Sequence, residues 1–106
     1  MSEREFVIYL DQVAENRYRH RHVWERGELI EFRIQYEAWI GGQWHAIVRY
    51  DTAHEAPHRD ILQPEGMQIK EFYPGYSKAE ILTIGQRDIL RNWARYRAQY
   101  EQEMTR

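Results

Sequence analysis

The stretch Leu29-Ile30-Glu31-Phe32-Arg33-Ile34-Gln35-Tyr36-Glu37-Ala38-Trp39-Ile40 decides the fold. Ile30, Phe32, Ile34, Tyr36, Ala38 and Ile40 alternate with Glu31, Arg33, Gln35 and Glu37. A period of two produces one apolar and one polar face only in an extended strand. Gly41-Gly42 follows, and Trp44 to Asp51 reads as the returning strand. A two-residue Gly-Gly loop would set Tyr36 opposite Ile47 and carry Arg49 and Asp51 to the buried face. A three-residue Gly41-Gly42-Gln43 loop pairs Tyr36 with Val48 and Ile34 with Tyr50, so the apolar set is buried together. The expectation is the three-residue loop, with a glycine in the left-handed conformation.

Upstream, Arg17 to Glu25 alternates Arg with aromatic or imidazole side chains, again a period of two. With Glu25-Arg26-Gly27 as a three-residue loop, Tyr18, His20, His22 and Trp24 face the core. Arg17, Arg19 and Arg21 then point outward beside Gln35, Arg33 and Glu31. His20 and His22 read as partly buried, hydrogen-bonded side chains rather than ligands. Residues 1–16 are expected to form an extended arm, or a short strand at Phe6 to Leu10 followed by a polar connection.

Downstream, Gln63-Pro64-Glu65-Gly66 signals another hairpin, with Pro at the first central position and Gly where positive φ is wanted. A Pro64-Glu65-Gly66 loop pairs Ile61 with Ile69, Asp60 with Lys70 and Arg59 with Glu71. Pro74-Gly75 ends the sheet, and Ser77-Lys78-Ala79-Glu80 has capping-box spacing. A helix over 77–103 follows. Leu82, Gly85, Ile89, Trp93, Tyr96 and Tyr100 form its apolar stripe, Gly85 permits close approach to the sheet, and Arg87, Arg91 and Arg95 lie on a solvent-facing side. Fraying is expected after about Tyr100. The fold class is therefore α+β: an antiparallel meander of about five strands over 17–73, with a long C-terminal helix on one face, in a single domain spanning 1–106.

The chain has 106 residues, of which 42% are hydrophobic and 14% aromatic, enough for one modest core. No apolar run is long enough to cross a bilayer, and the charged N-terminus does not resemble a signal peptide. The lack of Cys excludes disulfides, thiol nucleophiles and thiolate metal sites, and fits a cytoplasmic location. A net charge of -2 provides no global attraction to nucleic acid or membrane, so any cationic surface must be local.

The candidate site is Arg49-Tyr50-Asp51-Thr52-Ala53-His54-Glu55-Ala56-Pro57-His58-Arg59-Asp60, where the strand pattern gives way to titratable residues. His54-Glu55-Ala56-Pro57-His58 spells the zinc-protease pattern H-E-x-x-H, but that pattern requires a helix, and Pro57 disfavours one. A loop site for a divalent ion could draw on His54, His58 and Asp51, although nothing in the spacing demands a metal, and neither metal nor cofactor is expected. Metal-free acid–base chemistry could use His54 and His58 for proton transfer, with Arg49 and Arg59 stabilising charge on a phosphorane-like transition state and Asp51 alongside. The blander alternative pairs Asp60 with Lys70, Arg59 with Glu71 and Asp51 with Arg33, and packs His58 near Phe72. Separately, Arg17, Arg19, Arg21, Arg33 and Arg49 share an outward sheet face with Trp39 and His45 at one end. That is the composition of a phosphate-tracking surface with stacking groups. It is equally that of a solvated face balanced by Glu31, Glu37 and Asp51.

Val48-Arg49-Tyr50-Asp51-Thr52-Ala53-His54, with Pro57-His58-Arg59-Asp60-Ile61-Leu62 and Pro64-Glu65-Gly66, resembles a family of short uncharacterised prokaryotic proteins, over most of the chain after Arg17. The Arg-Tyr-Asp strand end and the following His- and Pro-containing loop are also distantly similar to the TumE-type toxins of toxin–antitoxin pairs. That resemblance implies a small cytoplasmic protein that binds or cleaves RNA by metal-independent acid–base chemistry, with a cognate protein as a further partner. The alternative is a non-enzymatic interaction module that binds another protein or dimerises.

Overall fold

The computed structural model describes residues 1–52 and 56–105. Among them the chain forms six antiparallel strands and one helix: β1 (Ser2–Tyr9), β2 (Asn16–Glu25), β3 (Glu28–Ile40), β4 (Gln43–Asp51), β5 (His58–Leu62), β6 (Gln68–Phe72) and α1 (Lys78–Met104). The strands lie in one sheet in chain order, a plain meander. The α+β class and antiparallel sheet agree with the sequence reading, but the strand count is six, because residues 2–9 form a full strand rather than an arm or the shorter strand expected at Phe6 to Leu10. They pair with β2 along the whole strand, from Ser2 opposite Trp24 to Tyr9 opposite Arg17.

Both glycine hairpins are tighter than expected. Gly41 and Gly42 alone form the β3–β4 loop, with φ of 61° and 83° and Ile40 opposite Gln43. Two successive positive φ values match the twist of the flanking strands. By itself this turn would bring Arg49 and Asp51 into the core. The register instead shifts between Tyr36 and Glu37, leaving Ile47 as an extra residue on β4 and restoring Tyr36 opposite Val48 and Ile34 opposite Tyr50. The β2–β3 loop is likewise Arg26-Gly27 only, with a shift that leaves Ile30 unpaired and sets Tyr18 opposite Tyr36. Arg17, Arg19 and Arg21 therefore stand beside Glu37, Gln35 and Arg33, each displaced by two residues from the expected register. In both hairpins the turn takes its preferred two-residue form, and a bulge returns the apolar alternation to the correct face.

The β5–β6 hairpin has the expected pairs: Ile61 with Ile69, Asp60 with Lys70 and Arg59 with Glu71. Ser77 and Glu80 form a reciprocal capping box at the start of α1, and the helix continues past Tyr100 to Met104. Lys78 Nζ donates to the carbonyl of Ile30, 2.8 Å away, tying the first turn to the bulge in β3. Ile81, Gly85, Ile89, Tyr96 and Tyr100 are buried against the sheet, whereas Arg87, Arg91 and Arg95 are exposed. A Cβ at Gly85 would lie 2.7 Å from the ring of Tyr50 and 2.8 Å from Ile34 Cδ1, so this glycine is a close-approach point. The core it closes is built from Tyr18, Leu29, Phe32, Ile34, Tyr36, Ala38, Ile47, Val48 and Tyr50 with the helix stripe. The helix lies over β3 and β4, and among the described residues no further helix or strand covers the opposite sheet face. No helix among the described residues is long and apolar enough to cross a membrane.

Candidate functional site

Pairing across β4 and β5 sets Asp51 opposite His58, Tyr50 opposite Arg59 and Arg49 opposite Asp60. Since opposite residues share a face, this divides the candidate stretch into two sets. Tyr50 and Arg59 lie under the helix; Arg49, Asp51, His58 and Asp60 lie on the open face. His54 lies outside the described residues.

On the helix side, Arg59 donates from Nη1 to the Tyr96 hydroxyl at 3.0 Å and from Nη2 to Glu71 at 3.0 Å. Asp88 Oδ2 accepts from both the Tyr50 and Tyr96 hydroxyls at 2.6 Å, while Asn92 donates to Oδ1 at 2.8 Å. Arg59 Nη1 is 3.8 Å from the same carboxylate. Burial and the Asp88 hydrogen bond push the Tyr96 hydroxyl up to about 12, so it stays protonated and donates. This cluster clamps α1 to β4 and β5.

On the open face, His58 is buried: Nδ1 donates to the Ala56 carbonyl at 3.1 Å, and Nε2 lies 3.3 Å from Asp60 Oδ2. Its ring also packs 5.6 Å from that of Phe72. Asp60 Oδ1 has Lys70 Nζ at 3.8 Å. Asp51 meets Arg33 Nε at 2.7 Å, and Thr52 bridges to the β3 backbone at Phe32. The blander pairings expected for Arg59, Asp60, Asp51 and His58 are thus all present. Among the described residues, no group of three or more His, Cys, Asp or Glu is arranged to hold a metal ion.

The five arginines named from the sequence are brought onto this face, in a layered arrangement. Glu37 accepts from Arg17 Nε at 2.5 Å and from Arg19 Nε at 3.3 Å, and is hydrogen-bonded by Gln35. Arg49 Nε donates to Gln35 at 2.7 Å. The acids lie beneath and the guanidiniums above: Glu37 and Asp51 side chains are 9% and 6% exposed, against 42% for Arg19 and 52% for Arg33. Burial raises the Glu37 carboxyl, but the hydrogen bonds from Arg17 and Gln35 and the charge of Arg19 outweigh it and hold the group below the usual glutamate value. Burial and neighbouring Arg33 lower the Arg49 guanidinium, against the pull of Asp51, Asp60 and Glu37. In the bonds of Arg17, Arg19, Arg33 and Arg49 it is Nε that meets the oxygen, so those bonds leave the two terminal nitrogens of each fork unused. Arg21 differs, holding two exposed acids, Glu3 and Glu31, through Nε and Nη1.

The aromatic end of the face departs from expectation. The β4 bulge turns His45 to the helix side, where Nδ1 lies 3.2 Å from the Tyr100 hydroxyl and Nε2 donates to the Ile40 carbonyl at 3.1 Å. Trp44 takes the place opposite Trp39, their ring centroids 5.4 Å apart, and Arg17 stacks 3.7 Å above the Trp44 ring. Tyr9, at the end of β1, approaches from the other side at 6.5 Å. The arginine–aromatic alternation signalled the face; the bulge and β1 set its membership.

These features define an α+β protein whose meander has one helix-covered apolar face and one open face with arginines layered over acids. The chain belongs to the family described as Domain of unknown function (DUF7718), whose model matches residues 1–106. Neither a curated protein nor a solved structure gives a significant match.

Proposed function

We propose that the open face binds single-stranded RNA, with the guanidiniums of Arg17, Arg19, Arg33 and Arg49 contacting phosphates and the Tyr9–Trp44–Trp39 cluster stacking a base. The observation that carries this reading is Arg49. It is a half-buried guanidinium beside a second arginine, and its direct hydrogen-bond partner is the neutral Gln35 side chain. Desolvated positive charge of that kind favours a bound anion. The buried acids hold the side chains in place, so fewer rotamers are lost on binding. Exposed aromatic rings on a sheet favour unpaired bases over a duplex. The likeness of the Arg49-to-Asp60 stretch to TumE-type toxins points to the same ligand class. The function is binding without proton transfer by His58, because both of its ring nitrogens are engaged and the ring is buried.

The test is fluorescence anisotropy of a labelled single-stranded RNA across a salt series, with cleavage followed on a gel. Affinity should fall steeply with salt. Arg49→Gln together with Arg19→Gln should weaken binding on the order of tenfold or more and reduce the salt slope by about two, while Arg21→Gln should change little. Binding that is absent at low salt, or unchanged in the folded double variant, rules the reading out. Cleavage lost in His58→Ala would replace binding with catalysis.

A further inference from the structure

The two edges of the sheet are unequal. The β6 edge carries Lys70 at its centre, with Glu71 next to it, and charge in the middle of an edge strand discourages pairing with another chain. The β1 edge instead runs Phe6-Val7-Ile8-Tyr9, and Val7, Ile8 and Tyr9 are 40%, 46% and 52% exposed. Its charges are confined to Glu3, Arg4 and Glu5 in the first half.

We infer that β1 pairs antiparallel with β1 of a second copy of this chain, centred on Val7, to make one sheet continuous across both subunits. A two-fold axis normal to the sheet keeps helix-side residues opposite helix-side residues, so some residue of β1 must face itself. Centring on Arg4 or Glu5 sets like charges against each other, which is destabilising. Centring on Phe6 opposes Arg4 to Ile8 and Glu5 to Val7, placing charge against apolar side chains. Centring on Ile8 runs off the strand after one residue on each side. Centring on Val7 sets Phe6 against the partner's Ile8, Ile8 against the partner's Phe6, and Glu5 against the partner's Tyr9, with no like-charge pair from Glu5 to Tyr9. The second copy therefore fits by register as well as by apolar character. Because Val7 stands opposite Arg19, pairing also joins the two arginine faces side by side, although the contact itself does not depend on RNA.

The chain contains no Cys, so a single introduced thiol reports the register directly. Val7→Cys places the two thiols directly opposite each other, near enough for a disulfide after small adjustment. Phe6→Cys and Ile8→Cys place like thiols on a diagonal. Light scattering of the wild type should give twice the chain mass of 13.0 kDa at high concentration. Under mild oxidation Val7→Cys should crosslink several times faster than Phe6→Cys or Ile8→Cys. Val7→Lys, at an exposed position and checked for an unchanged melting curve, should be monomeric. A wild type that stays monomeric, a folded Val7→Lys that still dimerises, or crosslinking that favours position 6 or 8 overturns the inference.

Discussion

The two faces of the sheet are built from alternate residues of the same strands, and both bury ionisable groups, but by different means. Under the helix, burial comes from another element: α1 covers the aromatic core, and Asp88 gathers the Tyr50 and Tyr96 hydroxyls close to Arg59. On the open face the arginines provide the cover themselves. Glu37 and Asp51 are each less than a tenth exposed although no helix among the described residues covers them, because the long side chains of Arg17 and Arg33 reach over them, and Asp60 is equally buried beside His58 and Lys70. The first arrangement is closed and serves stability. The second ends in a layer of cationic groups still open to solvent, which is why RNA binding is proposed there. A polar sheet face can therefore be ordered to the depth of a core and still present a charged surface.

The largest expected effect tests the closed face. Asp88→Ala removes the acceptor of two buried hydroxyls and the nearest helix carboxylate to Arg59, so folding stability should fall by about 3 kcal/mol, read as a shift in the urea midpoint. A loss below about 1 kcal/mol would mean that apolar packing alone holds the helix.

A second expectation concerns the region between the faces' extremes, where the sheet extends beyond the helix. His20 sits in a hydrogen-bonded row with Tyr18 at 2.6 Å and His22 at 2.7 Å, beneath the stacked ring of Phe6. Burial, with the charges of His22 and Arg4, lowers it to about 4. The folded state therefore binds the proton less readily than the unfolded chain, whose histidines titrate near 6.5. The stabilisation from a neutral His20 is complete above about pH 6.5 and is lost as pH falls towards 4, to a total of about 3 kcal/mol at most. Stability measured between pH 7 and pH 4 should slope downward in the wild type and be flatter in His20→Gln. Parallel slopes would remove His20 as the cause. Glu37, held below its usual range, acts at lower pH, with stability lost as acid reaches its folded-state value.

Much of the helix-covered face was legible in the sequence. The alternation from Phe32 to Ile40, the capping box at Ser77, the role of Gly85 and the pairs around Pro64-Glu65-Gly66 all follow from local patterns, and the structure agrees with each, whereas at the start of β3 the bulge places Leu29 rather than Ile30 in the core. What escaped were the bulges. A two-residue Gly-Gly turn and a two-residue Arg-Gly turn each conflict by one residue with the apolar alternation, and a longer loop resolves the conflict on paper as well as a bulge does. The same one-residue choice hid the rotation of His45 to the helix side and the entry of Trp44 beside Trp39. The pairing of β1 also escaped, because its partner lies across a connection whose geometry depends on Asp11 accepting from Glu15 N at 3.0 Å and Asn16 Nδ2 at 2.8 Å. The five arginines were found by alternation, but their layering over buried acids was not. It depends on which acid falls beside which arginine, and the shorter turn and the bulge in β3 together shift that by two residues.

The smallest expected effect probes that layer and would sharpen the contrast between the faces. Glu37→Gln keeps an oxygen to accept from Arg17 and Arg19 but removes the charge between them. If the acids serve mainly to hold the guanidiniums, folding stability should fall by about 1 kcal/mol, as for loss of a charge-assisted hydrogen bond at a partly exposed site. The affinity for single-stranded RNA should move the other way, rising by less than about tenfold, because the face gains one unit of positive charge while its arginines keep a polar anchor. Asp88 offers no such opposition, since its loss should weaken the fold without changing the charge of the open face. Opposite signs at Glu37 would thus mark a surface that gives up binding strength for order. A parallel loss of stability and affinity would instead mean that orientation by the buried acid outweighs its negative charge, and the open face would then resemble the closed one more than its exposure suggests.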